Sequence, residues 1–189
     1  MRLLPNIITL GRLVAVPLTV YFILIGDLAV AFWLFVAAGV SDAVDGAIAR
    51  LFDARTVLGA FLDPLADKAL LVSVYLSLAK IGLLPLWLVI LVVFRDLLIV
   101  GGVLLSYTLR QPVVLRPLYV SKLNTLAQLM LAALVLAVNG PGLPGIESLT
   151  VFGQTPTVAL EGGVALTTVL SGVVYVLRSE LLFGNGGAR

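Results

Sequence analysis

Apolar runs recur along this chain with little charge between them: LVAVPLTVYFILI (13–25), LAVAFWLFVAAGV (28–40), LLPLWLVILVVF (83–94) and LAQLMLAALVLAV (126–138). In a sequence that is 61% hydrophobic, such runs indicate an integral membrane protein and exclude an ordinary soluble domain. A membrane helix needs about 20 mostly apolar residues. On that rule the sequence predicts an all-α membrane protein with six transmembrane helices, near 5–26, 28–50, 56–80, 83–109, 119–139 and 157–178. They occupy nearly all of residues 1–189, which implies a single domain. The opening MRLLPNIITLGR lacks a signal-peptide cleavage pattern and reads as the approach to the first helix.

Placement of the cations gives an orientation. Arg2, Arg12, Arg50, Arg55, Arg110, Arg116, Lys122, Arg178 and Arg189 fall toward one side and only Lys80 toward the other, with Lys68 and Arg95 inside helices. The positive-inside rule then puts both termini in the cytoplasm. Residues 139–156, NGPGLPGIESLTVFGQTP, carry no Lys or Arg and suit an outer loop. The net charge of +2 is ordinary, and its placement favours anionic lipid headgroups as partners, not nucleic acid. Without Cys there is no disulfide or thiolate metal site, and without His there is no imidazole base or ligand.

Against that background the stretch SDAVDGAIARLFDARTVLGAFLDPLADKALL (41–71) is anomalous, because it holds five of the chain's ten carboxylates. Asp42, Asp45 and Ala49 are spaced i, i+3, i+7, and Gly59, Asp63 and Asp67 are spaced i, i+4, i+8, so each set lies along one helix face. A short charged turn joins the two helices as an antiparallel hairpin, with Asp42 and Asp63 at similar depth and the two stripes able to face each other. Four carboxylates converging at low dielectric repel and are costly to desolvate, and divalent cations relieve both problems. All-oxygen ligation points to Mg²⁺, Mn²⁺ or Ca²⁺ in preference to Zn²⁺, and metals held in this way can in turn hold a phosphate.

Taken as a unit, the residues run Asp42, Asp45, Gly46, Ala49, Arg50, Gly59, Asp63, Asp67 at fixed spacing. This string resembles the signature of the CDP-alcohol phosphotransferase family, whose six-helix fold also agrees with the helix count. The resemblance implies transfer of a substituted phosphoryl group from a CDP-linked alcohol to a second alcohol, with release of CMP. It implies that Asp42, Asp45, Asp63 and Asp67 ligate two divalent cations, Mg²⁺ or Mn²⁺, and that Gly46, Arg50 and Gly59 contact the CDP moiety. Asp67 is the implied catalytic base, and a homodimer the implied assembly. Chemically, Arg50 suits a bidentate grip on phosphate or an anchor at the membrane surface. The two glycines admit either a close nucleotide or close helix packing. A carboxylate is too weak a base to deprotonate a free alcohol, so Asp67 accepts its proton only as the alcohol attacks.

Further polar groups extend the pattern. Asn6, Thr9 and Arg12 mark the approach to the first helix, and Arg95 and Asp96 lie well inside the fourth, where buried charge either serves the site or pairs internally. RPLYVSKLNTLAQ (116–128) opens the fifth helix with Arg116, Ser121, Lys122, Asn124, Thr125 and Gln128. The stretches LDPLADK, FRD and RPLYVSKLNT resemble the CMP-forming, eukaryotic-type cardiolipin synthases within the family. Next in resemblance are the phosphatidylglycerophosphate synthases, which typically carry a second lysine where Asn124 stands. A dianionic phosphomonoester needs more cationic donors than a phosphodiester. The expected substrates are therefore CDP-diacylglycerol and phosphatidylglycerol, with Arg95, Lys122, Arg116 and Asn124 as the acceptor site. Glycerol 3-phosphate is the alternative acceptor. A membrane prenyltransferase or an ion transporter fits less well, because the second half has no matching acidic pair and no internal repeat is visible. The expected location is a bacterial inner membrane, with the site opening to the cytoplasm.

Overall fold

The computed structural model describes the backbone of residues 4–52, 57–108, 119–142 and 155–183, and side chains within 11–41, 66–102, 119–142 and 155–176. Regular structure among these residues is helical throughout: α1 (Leu4–Leu24), α2 (Leu28–Phe52), α3 (Val57–Lys80), α4 (Leu86–Thr108), α5 (Tyr119–Asn139) and α6 (Pro156–Phe183).

Local chemistry explains the helix ends. Gly26 adopts φ +85° and Gly82 φ +81°, a left-handed conformation that costs glycine little and stops a helix. At the α3 end, Leu83 N–H donates to Leu78 O (2.9 Å) and Gly82 N–H to Ala79 O (3.1 Å), closing both bonds of a Schellman turn. Asp27 follows Gly26 directly and caps α2 by accepting from Val30 N–H at 3.2 Å. The fourth helix begins at Leu86 and not near 83, because Pro85 disfavours helical geometry at Leu84 while its own carbonyl accepts the first turn's N–H from Leu88.

Contacts arrange the helices as two rings that share an edge. One ring runs α1, α2, α5, α3 and the other α3, α4, α6, α5. Among the described residues α2 and α3 each pack against α1 and α5, and the expected facing of their acidic stripes falls on side chains that lie outside the described residues.

The bundle has a dry half and a polar half. Ile23, Phe35, Leu78, Leu88, Leu131 and Val164 belong to one apolar core at the end where α1, α3 and α5 finish. Toward the other end the interior turns polar, with Arg12, Arg95, Asp96, Asn124, Gln128 and Ser171 all buried. The outside is the reverse: Leu86, Ile90, Phe94 and Leu97 form a row along α4 and are 60–64% exposed. Charge inside and large apolar side chains outside is the distribution of a protein surrounded by hydrocarbon. Six spans were expected, yet among the described residues only Tyr119–Asn139 and Pro156–Val176 are long and apolar enough to cross a membrane by length and composition.

Candidate active site

Up-and-down order brings the chemistry-bearing positions to one half of the bundle. Asp42, Asp45, Gly46 and Arg50 lie in the second half of α2, and Gly59, Asp63 and Asp67 in the first half of α3. The side chains of Asp42, Asp45, Gly46, Arg50, Gly59 and Asp63 lie outside the described residues, as does Arg116 altogether. Among the side chains described, no group of three or more acidic residues stands close enough to hold a metal.

Asp67 is the one signature carboxylate whose surroundings are described. It sits between buried Ala66 and Leu70 on α3, and its side chain keeps 44% exposure. Its Oδ1 accepts from Arg12 Nη1 on α1 at 2.6 Å. The Arg12 side chain is only 1% exposed, so this cation has been moved out of solvent to meet a carboxylate that has not. A charge-assisted bond from a buried, packed guanidinium fixes how the carboxylate points. The sequence flags Arg12 as polar but gives no sign that its partner lies 55 residues away.

Next to Asp67, Lys68 donates to Asp96 Oδ2 at 2.5 Å and links α3 to α4. Arg95 holds the other oxygen, Nη1 to Oδ1 at 2.9 Å. Its remaining bonds reach two more helices: Nη2 donates to Ser121 Oγ on α5 at 2.7 Å and to Ser171 Oγ on α6, and Nε donates to Ser171 Oγ at 3.1 Å. Of the two roles open to a buried charge here, Arg95 and Asp96 show internal pairing. Asn124 is fully buried, and its Oδ1 accepts from Thr167 (2.9 Å) and Thr168 (2.8 Å) on α6. Lys122, between these two anchored positions, is exposed. The α6 hydroxyls were missed from sequence. The signal was LTTVLSG (166–172), a cluster of hydroxyls and a glycine inside an apolar helix.

The profile of the CDP-alcohol phosphatidyltransferases matches residues 2–174 of the chain. The chain belongs to that family. Members similar to it include a fruit-fly protein named as a probable cardiolipin synthase (CMP-forming), 33% identical over 202 residues that cover 95% of this chain and 58% of that protein. Rat cardiolipin synthase (CMP-forming) is 36% identical over 150 residues, covering 71% of this chain and 50% of the rat protein. A Mycobacterium tuberculosis (strain H37Rv) protein named as a probable phosphatidylglycerophosphate synthase is 33% identical over 183 residues, 93% of this chain and 81% of that one. The chain thus spans about half the length of the first two and most of the third. In this family member the signature positions fall on α2 and α3, which both pack against α1 and α5.

Proposed function

We propose that this phosphatidyltransferase moves the phosphatidyl group of CDP-diacylglycerol to a hydroxyl of phosphatidylglycerol, giving cardiolipin and CMP. The observation that carries the reading is the acidic string from Asp42 to Asp67, divided between α2 and α3, which both pack against α1 and α5. The cardiolipin synthase relatives support the choice of acceptor.

Two divalent cations, Mg²⁺ or Mn²⁺, fit the donor set, because the chain has no Cys or His, the signature supplies hard carboxylate oxygens, and the Asp67 side chain is half-exposed. Asp42, Asp45, Asp63 and Asp67 would hold them. When bound, the cations supply polarisation of the diphosphate and countercharge for departing CMP. The chain's own residues do the rest. Gly46 and Gly59 let the nucleotide come close to the backbone, and Arg50 grips its phosphate. Arg12 keeps Asp67 oriented, and Asp67 takes the proton of the acceptor hydroxyl as its oxygen bonds to the phosphatidyl phosphorus and the bond to CMP breaks. Exposed Lys122, with Arg116, meets the acceptor phosphate. Arg95 and Asn124 act behind them by fixing α5, a shift from the direct contact expected on sequence grounds.

We also propose that all six helices span the membrane, that the site opens to the cytoplasm of a bacterial cell, and that the enzyme is a homodimer. Phosphatidylglycerophosphate synthesis from glycerol 3-phosphate is the second reading, favoured by the mycobacterial relative whose length this chain largely covers. The core of the proposal is tested by CMP release from CDP-diacylglycerol. Release should need added Mg²⁺ or Mn²⁺ and be lost in Asp63→Asn and Asp67→Asn with the protein still folded. Full release in excess chelator refutes the metal assignment.

A further inference from the structure

The proposed reaction leaves one buried polar group without a task. Gln128 is fully buried on α5, yet neither its Nε2 nor its Oε1 has a hydrogen-bond partner. One turn earlier, Asn124 Nδ2 is also unpartnered, although the Asn124 oxygen is well used by Thr167 and Thr168. Turning the amides over does not help. Exchanging N and O in Gln128 leaves both unpartnered, and exchanging them in Asn124 orphans its oxygen. Buried amides in this state carry a full desolvation penalty, so a fold that keeps them has something to satisfy them.

Two donors and one acceptor define the chemistry of that partner. A phosphate or carboxylate oxygen answers the donors but brings no proton for Oε1. An ammonium brings protons but accepts nothing. A hydroxyl oxygen does both. Side chains four apart on a helix stand about 5–6 Å apart at Cβ, a gap that one oxygen bridges. We propose that Asn124 and Gln128 form a buried binding site for a hydroxyl oxygen, which accepts from Nδ2 and Nε2 and donates to Oε1.

Water and the alcohol of a polyol headgroup share this chemistry, and depth separates them. Tyr75 Oη donates to the Gln128 carbonyl at 3.0 Å, which sets Gln128 level with Tyr75 on α3. Tyr75 lies eight residues past Asp67, about 12 Å deeper at 1.5 Å per residue. A three-carbon headgroup whose reacting hydroxyl is at Asp67 does not reach that far. The occupant is an internal water that completes the polar ladder of Ser121, Asn124 and Gln128 on α5, and the site exists whichever acceptor the enzyme uses.

The test uses the full chain in one detergent. An experimental density map that resolves ordered waters should contain a single oxygen peak within bonding reach of all three atoms, with and without substrates. Gln128→Leu, an apolar side chain of similar size, should lower Tm by roughly 2–12 °C, because it removes the water's acceptor and strands Asn124 Nδ2. KM for either substrate should stay within about twofold. A raised Tm in Gln128→Leu would mean that the amides are dry, and a several-fold rise in acceptor KM at unchanged Tm would mean that a headgroup occupies the site. Either result overturns the proposal. If the variant does not fold, absence of the peak in the wild-type map refutes it.

Discussion

Replacing Arg95 with methionine separates the two meanings a buried cation can have, a substrate contact or a joint between helices. In the native chain its guanidinium binds Asp96 (2.9 Å), Ser121 (2.7 Å) and Ser171 (3.1 Å from Nε), tying α4 to α5 and α6. Methionine fills a similar volume with no donors. Removing one partner of a buried ion pair costs about 3–5 kcal/mol. Here the lower end applies, because Asp96 keeps Lys68 at 2.5 Å. The two serines can also turn to carbonyls of their own helices, as Ser77 does to Ser73 at 2.7 Å. A loss of about 3 kcal/mol corresponds to a fall in Tm of about 6–12 °C, at about 2–4 °C per kcal/mol for a chain of this size. The assay is thermal unfolding of purified protein in a fixed detergent, with kcat and KM taken well below the transition. Adding Asp96→Leu should restore none of the lost stability, because it takes from Lys68 the partner that Asp96 still is in the single variant. The reasoning fails if Arg95→Met melts within about 2 °C of wild type while its acceptor KM rises tenfold or more, since Arg95 would then bind the acceptor phosphate itself.

Three other outcomes follow from the same contacts. Arg12→Met removes the buried guanidinium that orients Asp67 and should lower kcat by about 10–100-fold, and an unchanged kcat would show that Asp67 needs no such support. Gly102→Ala places a Cβ 2.9 Å from two ring carbons of Tyr175, disturbing its 3.2 Å bond to Ile99 O, and should destabilise by about 1–3 kcal/mol in thermal unfolding. Gly101→Ala is the matched control: nothing lies within 4 Å of its Cβ, so Tm should hold or rise, and equal effects of the two substitutions would discredit the α4–α6 packing.

Elements governed by local chemistry were legible in the sequence. Apolar runs located all six helices, and the Gly26–Asp27 and Gly82 punctuation accounts for ends the structure draws within a few residues. The start of α4 was set too early because apolar character continues through Leu83 and Leu84, whereas Pro85 decides where the helix begins. Partners were less legible, being set by packing. FRD reads as a buried charge that pairs or serves a site, but nothing near it in sequence names Lys68, Ser121 or Ser171, which are 28, 26 and 76 residues from their partners. That Asp42 and Asp45 fall on one helix and Asp63 and Asp67 on the next was legible in the sequence. That α2 and α3 each pack on both α1 and α5 was not, because helical spacing gives a helix its faces but not its neighbours.

The acceptor is the sharpest point on which the account stands. Purified enzyme given CDP-diacylglycerol, Mg²⁺ or Mn²⁺, and either phosphatidylglycerol or glycerol 3-phosphate, with the lipid product identified by mass, tests it directly. The account predicts cardiolipin and equimolar CMP with phosphatidylglycerol and little turnover with glycerol 3-phosphate. Phosphatidylglycerophosphate formed from glycerol 3-phosphate, with no cardiolipin from phosphatidylglycerol, would contradict it and show that Asn124 does not report the charge of the acceptor.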